Sequence, residues 1–221
     1  MQKKSTLRVL LVEDHMIVRQ GLRALLEGQE DIEVVAEAAD GFEGVQKVEE
    51  HKPDVVVMDL AMPRLNGVDA TKQLLKIHPD AKVLILSMHA GEEYVRPVLR
   101  AGASGFLLKG SGLSDLVKAI RAIAEGEAFF SPAVAKILLK DAQSGTQTTH
   151  KKQKGELTHR EREILQLLAE GYSGPQIAET LHISSKTVES HRGRMMKKLD
   201  IHNLAGLVRY AIRIGLVSSD M

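Results

Sequence analysis

The chain has 221 residues, no cysteine and a formal net charge of +1. That length is long for one α/β domain and comfortable for two, and without cysteines there are no disulfides or thiolate metal sites, which suits a reducing compartment. No apolar stretch reaches the ~20 residues a membrane helix needs, and Met1-Gln2-Lys3-Lys4-Ser5-Thr6 runs straight into a strand without a signal-peptide core, so the expected location is the cytoplasm, away from the membrane.

Leu7 to Val12 is an apolar run read as a strand. From Asp14 to about Leu26 the period is helical, with Ile17, Leu22, Leu25 and Leu26 as its expected apolar face. Ile32 to Ala38 is a second strand, and Gly41 opens a helix with Phe42, Val45 and Val48 inside. Pro53 ends that connection. Val55-Val56-Val57-Met58-Asp59 follows, an apolar run of the kind buried on both faces of a parallel sheet. Pro63 and Gly67 frame a tight loop before a helix marked by Val68, Leu74, Leu75 and Ile77. Lys82 to Ser87 is the fourth strand, Glu92 to Arg100 a short helix, Gly105 to Lys109 the fifth strand, and Leu113 to Glu125 the fifth helix. Five strands alternating with five helices predict a five-stranded, parallel, doubly wound, flavodoxin-like α/β domain over residues 1–127.

A short helix from Pro132 to Leu139 comes next. Residues 141–155 are poor in large apolar side chains, and such a stretch cannot bury enough surface to offset its ordering entropy. Residues 128–155 are therefore expected to be a short helix and flexible linker. From Leu157 the period is helical throughout, so residues 156–221 predict a small all-α domain. Thr158 and Glu161 have capping-box spacing, repeated by Ser173 and Gln176. Two helices separated by the tight turn His182-Ile183-Ser184 make a helix-turn-helix candidate. Charge divides the same way: residues 140–221 carry 13 Lys+Arg against 9 Asp+Glu, whereas residues 1–139 carry 17 against 20.

The chemistry lies at the strand ends. A lone aspartate after a strand is ordinarily a loop cap. Here Glu13 and Asp14, Asp59, Ser87 and Lys109 all end strands, and in a parallel sheet those ends converge on one edge. With strand order 2-1-3-4-5, the switch point lies between the strands ending in Glu13-Asp14 and in Asp59. Three crowded carboxylates call for a hard cation, and Mg²⁺ suits them, with oxygen ligands and room for a phosphate oxygen. Asp59 would be the nucleophile for a phosphoryl group, with Lys109 and the metal neutralising charge and Ser87 supplying a hydroxyl. Rival folds fail on specifics. Val12-Glu13-Asp14-His15 has no glycine-rich dinucleotide turn and no hydroxyl-rich flavin phosphate loop. A haloacid-dehalogenase-like phosphatase would need an aspartate where Ala61 stands. The nine histidines show no ligand spacing such as His-x-x-x-His, which argues against a metal site of their own.

On a helical wheel of Ser185 to Leu199, Val188, Met195 and Leu199 face a core. Lys186, Ser190, Gly193 and Lys197 face outward, flanked by Glu189 and Arg194, with His191 and Arg192 at the border. Lys186, Thr187, Arg192, Lys197 and Lys198 suit DNA phosphates, while Glu189, Ser190 and Arg194 suit base edges, and His191 at the border belongs to the same DNA-binding set. Met195 and Met196 read as core gap-fillers, and Tyr94 as a surface or interface residue.

These motifs carry a resemblance. Val12-Glu13-Asp14, Met58-Asp59, Met62-Pro63, Asn66-Gly67, Leu86-Ser87 and Gly102 to Lys109 resemble the receiver domain of two-component response regulators. Leu157 to Glu163 and Ser184 to His191 resemble a LuxR-type DNA-binding domain, and the two in this order are similar to the NarL/FixJ family. The resemblance implies that Asp59 is the phosphoacceptor. It implies that Glu13, Asp14, Asp59 and the Ala61 carbonyl hold Mg²⁺, that Ser87 and Lys109 contact the phosphoryl group, and that Phe106 moves with Ser87. The implied partners are a sensor histidine kinase, double-stranded DNA, a second copy of the chain on activation and, as a further candidate, RNA polymerase. The expected function is transcriptional regulation rather than enzymatic turnover beyond the receiver's own phosphorylation and dephosphorylation. The rival is a receiver-type interaction protein that works without phosphorylation. Departures from the family pattern are Gly110 in place of a proline, Phe106 in place of tyrosine, and Gly174-Pro175 where a polar residue and a charge are usual.

Overall fold

The computed structural model describes residues 6–143 and 157–217. The chain forms two compact units, Met1–Ser144 and Gly145–Met221. In the first, β1 (Leu7–Val12), α1 (Met16–Glu27), β2 (Ile32–Ala38), α2 (Gly41–His51), β3 (Val55–Asp59), α3 (Gly67–Ile77), β4 (Val83–Ser87), α4 (Glu92–Ala101), β5 (Gly105–Leu108), α5 (Leu113–Ala124), β6 (Phe129–Phe130) and α6 (Pro132–Gln143) follow in order. The sheet is wholly parallel, in the order β2-β1-β3-β4-β5-β6. Every residue of β3 and β4 is buried, as their unbroken apolar runs require. Alternate side chains go to opposite faces. Leu10, Val12, Val56, Met58 and Ile85 meet α2, α3 and α4 on one side, while Val9, Leu11, Val55, Val57 and Leu84 meet α1 and α5 on the other. Each such buried side chain contributes about 1.5–3 kcal/mol.

The register sets the edge on which the chemistry sits. Val12 pairs with Met58, Asp59 with Leu86, and Ser87 with Leu108. The residues that end β1, β3, β4 and β5 are thereby brought level, at the switch point where β1 lies beside β3. Gly67 is needed just behind it, because a Cβ there would lie 2.4 Å from the Asp59 carbonyl oxygen. Asn66 starts α3 by accepting a hydrogen bond from the Asp69 amide at 3.0 Å.

Two expectations are corrected. The sheet has six strands, not five. β6 is two residues long and shows no period of its own; it exists because β5 offers it a ladder, Gly105 opposite Phe129 and Phe106 opposite Phe130. α6 follows, with Val134 fully buried in the core that also holds Val95 and Val98 of α4. Lys140 Nζ lies 3.0 Å from Glu92 Oε1 on α4. The short helix expected from Pro132 to Leu139 thus forms as α6 and packs on the first unit, and residues 144–155 of the expected linker lie outside the described residues. The second correction concerns α1. Leu26 is buried and Leu22 partly so, but Ile17 is 83% exposed and Leu25 is exposed as well. At ~100° per residue Ile17 lies about 140° round the helix from Leu22, off the face that meets the sheet.

The second unit contains α7 (His159–Ala169), α8 (Gly174–Thr180), α9 (Ser185–Leu199) and α10 (Leu204–Arg213). Its core is Ile164, Leu165, Leu167, Ile177, Val188, Met195, Leu207 and Ala211, all fully buried. The capping box of α7 forms as expected: the Thr158 amide donates to Glu161 Oε2 at 2.7 Å, and the Glu161 amide to the Thr158 hydroxyl at 3.3 Å. At α8 the Ser173 amide donates to Gln176 Oε1 at 2.9 Å. No helix among the described residues is long and apolar enough to cross a membrane.

Candidate functional site

The ends of β1, β3, β4 and β5 build a pocket of carboxylates around one ammonium. Lys109 Nζ lies 2.8 Å from Glu13 Oε2 and 3.0 Å from Asp59 Oδ2. Glu13 is 1% exposed and Asp59 4%. The Leu60 amide donates to Asp59 Oδ1 at 2.8 Å, holding the carboxylate in place. Burial, and then repulsion from Glu13, push the Asp59 carboxyl up from 3.8 to about 6, with Lys109 opposing. Burial alone would lower the Lys109 pKa; Asp59 and Glu13 outweigh it and raise the ammonium above its ordinary range. Two acids this dry are stable as anions only with cations beside them.

Glu13, Asp14 and Asp59 each offer an oxygen to a common point. Glu13 Oε2 and Asp14 Oδ1 are buried oxygens, the first beside the Lys109 ammonium at 2.8 Å and the second 2.9 Å from His15 Nδ1. A set of three hard oxygen donors fits a Mg²⁺-class ion. Ala61 stands two residues beyond Asp59 in the β3–α3 loop, half-buried.

Ser87 ends β4 and is buried. Its hydroxyl donates to the His89 carbonyl and accepts from the His89 amide, both at 3.0 Å. The His89 ring stacks on Tyr94 of α4, centroids 5.0 Å apart, so Tyr94 is half-buried against its own unit. Phe106 lies in β5, wholly buried between the flanking strands. All peptide bonds among the described residues are trans, that between Lys109 and Gly110 included.

A second charged surface runs along α9. Val188 and Met195 point into the core and Leu199 is half-buried. Lys186, Glu189, Ser190, Gly193, Arg194 and Lys197 are exposed, and His191 and Arg192 sit at the border. Thr187 is engaged at the helix start, where its amide donates to the Ser184 hydroxyl at 3.1 Å and the two hydroxyls lie 2.8 Å apart. Glu189 Oε1 is 3.6 Å from Arg192 Nη1, and an ideal Cβ at Gly174 would lie 3.6 Å from the same oxygen. Lys198 differs from its neighbour Lys197. Its Nζ lies 2.8 Å from Glu161 Oε2, joining α9 to the capping box of α7. Burial would raise the Glu161 pKa, but Lys198 and Thr158 together hold it below its ordinary range.

Two features had no counterpart in the sequence analysis. One is the Glu161–Lys198 pair, whose partners are 37 residues apart. The other is His15, whose ring lies against Glu13 and Asp14; its position directly after two acids was the available signal.

Comparison with known proteins places both regions. Residues 9–121 match the response regulator receiver domain, and residues 155–211 match the bacterial regulatory proteins of the luxR family. The transcriptional regulatory protein DegU of Brevibacillus brevis is 37% identical over 97% of this chain and 96% of its own length. The transcriptional regulatory protein LiaR of Bacillus subtilis is 42% identical over 96% of this chain and all of its own. Among solved structures, RcsB of Salmonella enterica serovar Typhimurium, bound to the promoter rprA in the presence of the phosphomimetic BeF3⁻, has a TM-score of 0.63. It is 28% identical over 93% of this chain and 98% of its own. A parallel sheet with an acid-and-lysine pocket, joined to a helix-turn-helix unit, is the make-up of a response regulator. The chain belongs to the NarL/FixJ family of two-component response regulators and is a DNA-binding transcriptional regulator.

Proposed function

We propose that Asp59 accepts a phosphoryl group from the phosphohistidine of a sensor kinase, and that this promotes dimerisation on double-stranded DNA. The observation that carries the reading is the buried Asp59 carboxylate 3.0 Å from Lys109 Nζ. An Asp59 oxygen attacks phosphorus in line, the P–N bond breaks, and its electron pair returns to the donor imidazole. Glu13, Asp14, Asp59 and the Ala61 carbonyl would hold a Mg²⁺, which would supply positive charge against the phosphoryl oxygens. Lys109, 3.0 Å from Asp59 Oδ2, neutralises a further phosphoryl oxygen. The Ser87 hydroxyl, now donating to the His89 carbonyl, exchanges that acceptor for a phosphoryl oxygen, and Phe106 adjusts behind it.

In the second unit, Lys186, Thr187, Arg192 and Lys197 contact DNA phosphates, while Glu189, Ser190 and Arg194 meet base edges. His191 at the border joins this DNA-binding set, and Lys198, paired with Glu161, also holds α9 on α7. RcsB has been solved on promoter DNA with a phosphomimetic, and the same response is proposed for this chain. The protein acts in the cytoplasm, with RNA polymerase as the partner downstream.

The test is incubation with a small acyl phosphate and Mg²⁺, followed by intact mass and sedimentation. The wild type gains one phosphoryl group and shifts towards dimer; Asp59→Asn gains none and does not shift. Equal labelling of Asp59→Asn would overturn the assignment of Asp59. Labelling of the wild type with no change in mass average or DNA affinity would support the phosphorylation-independent alternative.

A further inference from the structure

The pocket contains a nitrogen donor beside its carboxylates. His15 precedes α1 and follows Glu13-Asp14 directly, and its Nδ1 lies 2.9 Å from Asp14 Oδ1 and 3.2 Å from Glu13 Oε1. One ligand atom from each of Glu13, Asp14, His15 and Asp59 lies within 4.8 Å of all the others. An octahedral ion with bonds of ~2.1 Å sets neighbouring ligands ~3 Å apart and opposite ligands ~4.2 Å apart. The His15 distances are those of neighbouring ligands on one ion. Asp14 Oδ1, the atom nearest the ring, is itself buried.

We propose that His15 is a ligand of the cation in this pocket, completing a three-carboxylate, one-imidazole set that prefers a first-row transition dication such as Mn²⁺ to Mg²⁺. Carboxylates serve Mg²⁺ and Mn²⁺ alike, but imidazole binds the d-block ions better and adds little for Mg²⁺, which keeps its waters. The inference rests on the pocket being a cation site. The competing role for His15 is that of a protonated counter-charge, its ring donating to the two acids. The two roles predict opposite effects of metal: a ligand strengthens binding of one class of ion, whereas a cationic ring resists any.

The experiment is calorimetric titration of the full-length protein with MnCl2 and with MgCl2, together with electron-spin-echo modulation of the bound Mn²⁺. The wild type is expected to show modulation from a coordinated imidazole nitrogen. His15→Ala loses that modulation and weakens Mn²⁺ binding about tenfold or more, with Mg²⁺ binding changed less than about threefold. The ring is 68% exposed, and His15→Gln, which keeps a polar side chain at the N-cap position of α1, repeats the comparison should the alanine variant not fold. Absent nitrogen modulation in the wild type, an equal loss for both metals, or tighter binding on removing His15 would each overturn the inference. Failure of the wild type to bind either metal would overturn the reading of the pocket as a cation site; binding of both without nitrogen coupling overturns the role of His15 alone.

Discussion

The acidic pocket and the outer face of α9, the two regions proposed to meet a phosphate, hold their charged side chains in opposite ways. Glu13, Asp59 and Lys109 are packed at the strand ends with their partners fixed at 2.8–3.0 Å. Lys186, Arg194 and Lys197 stand in solvent on one side of a helix. In the first region water is displaced before the ligand arrives, so each charge is costly unless opposed and acts strongly on what enters. In the second, water and counterions screen the charges until DNA displaces them, so each contributes little to folding and acts mainly in binding. A small phosphoryl group needs a prepared site, and a long polyanion needs only a field of the right sign and shape.

The sharpest way to break this contrast is Lys109→Met. Removing this ammonium leaves the buried Glu13 and Asp59 carboxylates without the cation they share, so the variant should lose about 3–5 kcal/mol of stability at pH 8 without metal. Urea unfolding measures this, and a loss below ~1 kcal/mol would mean that the pocket is hydrated like the α9 face. Next is the dependence on pH. The Asp59 carboxyl lies at about 6 in the folded chain against 3.8 as its reference. Its protonated form is the one the native pocket favours, so this contribution to stability is fully present below pH 4 and is lost as pH rises through 6. The loss is on the order of 3 kcal/mol. Asp59→Asn should therefore match the wild type at pH 4 and exceed it above pH 7 in the absence of divalent cations; equal unfolding midpoints at both would remove the buried charge as a cause. The smallest effects separate two adjacent lysines. Lys198→Met should cost about 1–2 kcal/mol through its pairing with Glu161, whereas Lys197→Ala should stay within about 0.5 kcal/mol. Lys197→Ala should lower the slope of log affinity against log salt by about one. Titrations of one operator at several salt concentrations decide between them, and identical slopes for both variants would remove the distinction.

Much of the pocket was readable from local pattern, because runs such as Val55 to Asp59 are buried on both faces and their terminal residue is fixed by register. Three apolar runs ending in acid, acid and hydroxyl, and a fourth ending in lysine, sufficed to gather Glu13, Asp59, Ser87 and Lys109. The failures share a physical cause. β6 has no period within two residues and is a strand only because β5 is beside it. Ile17 is apolar like Leu26, and periodicity alone could not decide which part of a broad apolar stripe meets the sheet. Lys197 and Lys198 are alike in sequence, and only the placement of Glu161 on another helix separates them. His15 carried a local signal, two acids immediately before it, but spacing rules for histidine pairs do not detect a ligand set drawn mainly from carboxylates.

Phe129 and Phe130 also close the sheet beyond β5. An open parallel edge would present unpaired amides and carbonyls on which a strand from another molecule could assemble, and an edge strand of two residues followed after Ser131 by Pro132 offers such a visitor almost no ladder. α6 seals the same margin from the side by burying Val134. A fragment ending at residue 127 would keep the whole pocket but lose this guard, leaving the backbone of β5 exposed beside an apolar cleft, and would tend to aggregate. One that ends beyond α6 keeps its margin closed, which makes the residues after α5 a safeguard against self-association as much as a passage to the next domain.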